Sequence, residues 1–162
     1  SKGMYFMGMV AMNYTSEPAS QPWIEIWHPG KMRWSQGCVQ LKIKVMMPET
    51  VQSASLLDVS VTSTHLRIGT KGNADPIVQG EFERKVDPDG EDFSWYLTQA
   101  EGEMPPMLEM ILDKDPSAAY QTFSYGTLLW PRLFKDDVAV GDGLFEADLT
   151  DLPPELLDKF KT

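Results

Sequence analysis

The chain has 162 residues, 42% of them hydrophobic and including five tryptophans and seven phenylalanines, which suits one domain with a real core and some extensions. Its 24 acidic and 14 basic residues give a net charge of -10, which repels phosphate backbones and excludes nucleic acid as an expected partner. Cys38 is the only cysteine, which excludes an internal disulfide and a thiolate metal cluster and favours a reducing, cytoplasmic setting.

The apolar run from Met4 to Met12 is too short to cross a bilayer and has no clear cleavage site, so neither a membrane span nor a signal peptide is expected. Met4, Met7, Met9 and Met12 leave two readings open: an adhesive segment for unfolded chains, or an edge strand covering a sheet. Residues 13 to 22, rich in Ser, Thr, Pro and Gln, read as a flexible lead-in, so 1–22 form a flexible or edge-strand segment.

Strict alternation dominates the middle. Val39, Leu41, Ile43 and Val45 are separated by Gln40, Lys42 and Lys44, the pattern of a strand with one buried and one wet face. Leu57, Val59 and Val61 repeat it, as do Leu66 and Ile68 beside His65, Arg67 and Thr70. Pro76 to Val86 is expected as one long strand, with Gly80 marking a bulge or a close backbone approach. Phe93, Trp95 and Leu97 predict a further strand, and Leu108, Met110 and Leu112 another. Pro48-Glu49, the 72–76 stretch, the 87–90 stretch and the 113–116 stretch supply turns through proline, glycine and Asx chemistry. Short strands spaced by such turns predict an all-β, antiparallel sandwich over residues 23–116.

The remainder, 117–162, reads as a C-terminal extension. Asp151 with Pro153 and Pro154 looks like a helix start, and Leu152, Leu156 and Phe160 then share one face of a short helix. So short a helix is marginal alone and should dock on the sandwich or on a partner.

Few residues suggest chemistry. His28 and His65 have no histidine or cysteine at ligand spacing, so no metal is expected. No G-x-S-x-G elbow occurs and Cys38 has no evident base, so the chain is not expected to be an enzyme or to hold a cofactor. Gly69 and Gly72 flank a turn followed by a proline and a strand, not the helix a phosphate cradle needs. The acidic 87–92 stretch has glycine at its fourth position and reads as a solvated hairpin rather than a calcium loop. Met104, Met107 and Met110 would make a soft binding face on a helix, but Pro105 and Pro106 followed by alternation favour a strand.

Binding is the better use of this surface. His65, Arg67 and Lys71 lie on the polar phase of one strand and should project from one face, a basic patch on an acidic protein that suits acidic partner surfaces. Lys42 and Lys44 would widen that patch if their strand were adjacent. Trp95 falls on the apolar phase and is expected in the core. Trp34 is open between core and binding anchor, and Trp130 between a lid folded back on the sandwich and a partner contact.

Several segments carry a resemblance. Met32-Arg33-Trp34-Ser35-Gln36, the octapeptide His65-Leu66-Arg67-Ile68-Gly69-Thr70-Lys71-Gly72, Gly80-Glu81-Phe82 and Ser94-Trp95 resemble, in order and spacing, the motifs of NudC-type CS domains. Trp130-Pro131-Arg132-Leu133 resembles the segment that follows the CS domain in the small acidic co-chaperone of the ninety-kilodalton heat-shock protein. Residues 99–106 depart from the pattern as an insertion in the last hairpin, and the Met-rich start has no counterpart in the coiled-coil arm of the longest NudC proteins. The resemblance implies a CS sandwich, like that of the small heat-shock proteins, of about seven strands. It implies a non-enzymatic co-chaperone or adaptor that binds the ninety-kilodalton heat-shock protein and its clients, with dynein-regulatory proteins as further partners. On that reading His65, Arg67, Lys71, Gly72, Trp34, Trp130 and Arg132 contact the partner. The alternative is an ATP-independent holdase for unfolded proteins.

Overall fold

A computed structural model describes residues 22–26, 31–117 and 129–140. Among them lie nine strands: β1 Ile24–Ile26, β2 Met32–Gln36, β3 Gln40–Met46, β4 Leu57–Val61, β5 His65–Thr70, β6 Val78–Glu81, β7 Val86–Asp87, β8 Ser94–Thr98 and β9 Met107–Lys114. One 3-10 turn, Ala54–Leu56, leads into β4 and is capped by the Ser53 side chain. The nine exceed the expected seven because β1 and β7 are short edge pieces. The Met-rich start and the helix expected at 152–160 lie outside the described residues.

Two antiparallel sheets form. The larger runs β1-β2-β3-β9-β7, with β8 also paired to β9; the smaller is β4-β5-β6. Because β3 takes one edge of β9, β8 and β7 share the other, at Met107–Ile111 and Asp113–Lys114 respectively. The alternation in the sequence is the cause of the layering. Leu41, Ile43 and Val45 of β3 and Leu108, Met110 and Leu112 of β9 are buried and meet Leu57, Leu66, Ile68 and Val78 of the small sheet in one core. Each such side chain taken from water contributes roughly 1.5–3 kcal/mol. Trp34 is 1% exposed within that core, and Trp95 packs against it partly buried.

The expected long strand from Pro76 to Val86 is instead two. β6 pairs with β5 as far as His65 opposite Glu81, where β5 begins and no further partner is offered. The chain then bends, with the Phe82 amide donating to the Thr64 carbonyl (2.8 Å) and the Val86 amide to Ser63 (2.9 Å), and β7 crosses to the larger sheet. The glycine within this stretch marks a close approach: a Cβ on Gly80 would sit 2.8 Å from ring carbons of Phe134. Met104, Met107 and Met110 separate for the same alternating reason. Met110 is in the core, Met107 faces outward, and Met104 stands on a tight turn, 59% exposed.

Residues 129–135 complete the core. Leu133 and Phe134 are buried; Phe134 bridges Phe82, with the Glu83 amide donating to the Leu133 carbonyl (2.9 Å) and the Lys135 amide to Glu81 (3.0 Å). This segment meets the chain at the end of β6 through one antiparallel bridge, Phe82 opposite Phe134. Trp130, 3% exposed, is fixed through its backbone: Gln36 Nε2 donates to its carbonyl and Gln36 Oε1 accepts from its amide, both at 2.8 Å. The Lys114 ammonium donates to Gln36 Oε1 (2.8 Å) and to the Gly37 carbonyl (2.7 Å).

Candidate functional site: the outer face of the smaller sheet

Pleating turns His65 and Arg67 of β5 outward while Leu66 and Ile68 go to the core. Arg67 lies opposite Ser60 on β4 and Gln79 on β6; His65 lies opposite Glu81. The Arg67 guanidinium folds along its own strand over Gly69, where an added Cβ would meet Nη1 at 3.2 Å, and Nη2 donates to the Ala74 carbonyl at 3.1 Å. Gly69 is buried beneath it, so the glycine provides the bed on which the arginine lies. That arrangement presents a planar cation held in one orientation, which limits the side-chain ordering a partner must bring about.

The turn beyond β5 carries Lys71 and Gly72, both exposed. Gly72 has φ of 82°, a left-handed geometry that disfavours other residues, and nothing lies within 4 Å of a Cβ placed there. Its ends are pinned, with the Lys71 amide on the Leu56 carbonyl (2.9 Å), the Ile77 amide on Ile68 (2.7 Å), and the Asp75 amide on Asn73 Oδ1 (3.0 Å). His65 is exposed beside Thr64, whose Oγ1 is 2.8 Å from Nδ1.

The tail extends the same face. Lys135 Nζ is 3.1 Å from Glu81 Oε2, producing the row His65–Glu81–Lys135 across β5, β6 and the tail. Arg132 Nε lies 3.4 Å from Glu83 Oε2, an ion pair without hydrogen-bond alignment, and its Nη1 donates to the Asp137 carbonyl (3.3 Å). Such half-exposed pairs contribute little stability, about 0–1 kcal/mol, so their effect is to set position. The face is therefore a mixed lattice of Arg67, Lys71, Arg132 and Lys135 with Asp58, Glu81 and Glu83, not a purely basic patch.

Of the residues expected to meet a partner, His65, Arg67, Lys71 and Gly72 share this outer face and Arg132 borders it. Trp34 and Trp130 lie inside the sandwich. Trp130 is thus placed as the folded-back lid, with its ring 6.3 Å from Phe82 edge-on. Lys42 and Lys44 do not widen the patch, because β3 belongs to the other sheet; Lys44 instead pairs with Glu109 at 3.8 Å. Lys135 was not anticipated. Gly80 was its signal, since a glycine in a strand interior announces a neighbour that needs the space. Lys114 shares the phase of Leu108, Met110 and Leu112, and Gln36 that of Trp34, so parity alone marks both as buried polar groups needing partners.

Asp137 closes the tail. Its Oδ2 accepts from the Phe134 amide (3.1 Å) while its own amide donates to the Phe134 carbonyl (3.0 Å). Burial, first, and repulsion from Asp136 push its carboxyl above the ordinary value of 3.8, against the opposing pull of the Phe134 amide and Arg132. A folded-state pKa above the unfolded one gives stability that is complete below the unfolded pKa and lost as pH rises through the folded one. Amide exchange of residues 133–135 should therefore quicken in wild type relative to Asp137→Asn as pH climbs out of the carboxylate range, once both are corrected for intrinsic exchange. Parallel profiles in the two proteins would contradict this.

Residues 30–114 match the family model described as the CS domain. The solution structure of the CS domain of the human KIAA1068 protein is similar, with a TM-score of 0.51 and 16% identity, covering 82% of this chain and 93% of that one. At that identity the likeness concerns the fold. No curated protein matches the sequence.

Proposed function

The chain belongs to the CS-domain family, and from that premise we propose that it is a co-chaperone or adaptor whose outer β5 face, carrying Arg67 and Lys71, binds the ninety-kilodalton heat-shock protein or its clients. CS domains are in general non-enzymatic modules of the co-chaperone type. The finer reading, a NudC-type protein of the cytoplasm that supports dynein-linked complexes, rests on the octapeptide from His65 to Gly72 and its companions. The observation that carries the proposal is the guanidinium of Arg67 laid over Gly69 and tied to the Ala74 carbonyl beside the open Lys71-Gly72 turn. A cation tied down on its own strand next to an exposed one, on a chain of net charge -10, is suited to guide an acidic surface into register.

The test is a calorimetric titration with that chaperone, comparing wild type with Arg67→Ala plus Lys71→Ala. Affinity should fall by about tenfold or more, which is about 1.4 kcal/mol, and wild-type association should slow with added salt. Unchanged binding in the double variant would remove this face from the proposal.

A further inference from the structure

The larger sheet ends in β1 on one side and in β7 and β8 on the other, and the smaller sheet ends in β4 and β6. Most of these ends are guarded against pairing with another chain. β1 has three residues and β7 two, β4 carries Asp58, and the tail meets the chain at the end of β6. β8 is different. It is bonded to β9 alone, and Ser94-Trp95-Tyr96-Leu97-Thr98 contains neither the charge nor the proline that protects a free edge.

Parity identifies the backbone groups left open. The Lys114 amide donates to the Val39 carbonyl (2.8 Å) and the Met47 amide to the Pro106 carbonyl (2.9 Å), so even-numbered residues of β9 address β3. The Asp115 amide donates to the Lys85 carbonyl (3.1 Å), so odd-numbered residues address β7 and β8. Met107, Glu109 and Ile111 therefore bond Thr98, Tyr96 and Ser94, and Trp95 and Leu97 turn their amides and carbonyls away from β9. Among the described residues neither meets a further backbone partner. Their side chains pack against the core yet stay partly exposed, whereas their register partners Met110 and Leu108 are 1% and 0% exposed. An added strand would find both amides, both carbonyls and two half-covered apolar side chains.

Charge narrows the occupant. Every residue from Asp87 to Asp113 is described, and none is lysine, arginine or histidine. Glu109 pairs with Lys44, but Glu91 and Asp92 before β8 and Glu101 and Glu103 after it form no ion pair among the described residues. The residues outside the described ones hold seven carboxylates to three lysines, so on balance they add to the acidity. A second copy paired antiparallel through β8 would set Glu91 of each chain toward Glu101 of the other, like charge against like.

We infer that the free edge of β8 is a docking site for an extended segment of another protein, with apolar residues at alternate positions and lysine or arginine at its ends. That segment adds a strand to the larger sheet. Its backbone bonds Trp95 and Leu97, its apolar side chains extend the core layer beside theirs, and its cations meet Glu91 and Glu101. The site belongs to the sheet opposite the β5 face and stands independently of it.

Hydrogen exchange and fluorescence anisotropy on the full chain test this. In the free protein the Trp95 and Leu97 amides should exchange at least about tenfold faster than the Tyr96 amide. The probe is a labelled, capped peptide of alternating valine and threonine with two lysines at each end; controls carry glutamates for the lysines or serines for the valines. The lysine–valine peptide should bind saturably, weaken with salt and slow exchange at Trp95 and Leu97, and both controls should bind at least about fivefold more weakly. Glu101→Lys plus Glu103→Lys, at exposed turn positions, should narrow or reverse the preference for lysine over glutamate, whereas Arg67→Ala plus Lys71→Ala should leave binding unchanged. Equal exchange at Trp95, Tyr96 and Leu97, no saturable binding, equal binding of the glutamate peptide, or protection that falls elsewhere would each overturn the inference. A dimer through β8, or binding that appears only once residues 1–21 are removed, would give the edge to a second copy or to the chain itself and overturn it equally.

Discussion

Gly80→Val should detach the tail from the smaller sheet while leaving the two sheets standing. A Cβ at position 80 would lie 2.8 Å from the Cδ1 and Cγ atoms of Phe134, inside van der Waals contact, so the ring has to move. Room to move is scarce, because Phe134 is 3% exposed and stacks on Phe82 at 5.8 Å between centroids. Overpacking of this kind costs about 1–3 kcal/mol, and each kcal/mol lowers Tm by about 4–8 °C in a domain of this size. Phe134→Ala alone should cost about 3–5 kcal/mol, as for other buried aromatics. The informative experiment is the cycle: with Phe134 already truncated, Gly80→Ala should have almost no further effect, so the two changes are strongly non-additive. Thermal denaturation of the four proteins measures it. A Gly80→Ala protein as stable as wild type would show that no ring occupies that space.

Gln36→Leu should be similarly severe, for an electrostatic reason. The side-chain amide makes three bonds at 2.8 Å, donating to the Trp130 carbonyl and accepting from the Trp130 amide and the Lys114 ammonium. Leucine fills the volume but leaves those groups short of a partner in a site where Gln36 is 2% and Lys114 7% exposed. Two neutral bonds and one charged one, with the desolvation of what is left behind, amount to about 3–5 kcal/mol. Gln36→Glu keeps the acceptor and adds an ion pair with Lys114, yet sets an oxygen against the Trp130 carbonyl, so it should fall between wild type and leucine. Replacing both ends, Gln36→Leu with Lys114→Met, should recover part of the loss, because no ammonium is then left one acceptor short. Urea denaturation gives the global values. Hydrogen exchange at 129–135 should rise in Gln36→Leu well before it rises in β3. Equal protection in both proteins would mean that this side chain does not hold the tail.

Both predictions concern contacts that join distant parts of the chain, which is why the sequence announces them only obliquely. Alternation in Leu41–Val45 and Leu108–Leu112 is a local signal: period two assigns a face to every side chain without reference to anything else. The same parity assigns Gln36 and Lys114 to the interior, but it does not say that they meet each other or that Trp130 lies between them. His65, Arg67 and Lys71 were legible as outward residues for the same reason. What parity leaves open is the neighbour. Lys44 is outward too, yet its strand belongs to the other sheet, so it pairs with Glu109 there instead of joining the β5 face. Met104, Met107 and Met110 are evenly spaced in sequence and end in three environments, because one stands on a turn and the other two sit on opposite faces of β9.

By itself, then, the sequence determined most of the strands, the turns between most of them, the alternation of wet and buried side chains along them, and the family to which the sandwich belongs. These follow from alternation, turn chemistry and motif order, all of which act over a few residues. Tertiary structure alone decided that the strand after Pro76 breaks and changes sheets, since that depends on where β5 runs out. It alone decided that Phe134 fills the space over Gly80, that Trp130 is a clasped lid, and that Lys135 joins the face carrying Arg67. Those outcomes rest on which surfaces remain unburied once the sheets have paired, and pairing between residues 94 apart, as for Gln36 and Trp130, is settled by packing and hydrogen-bond satisfaction across the whole domain.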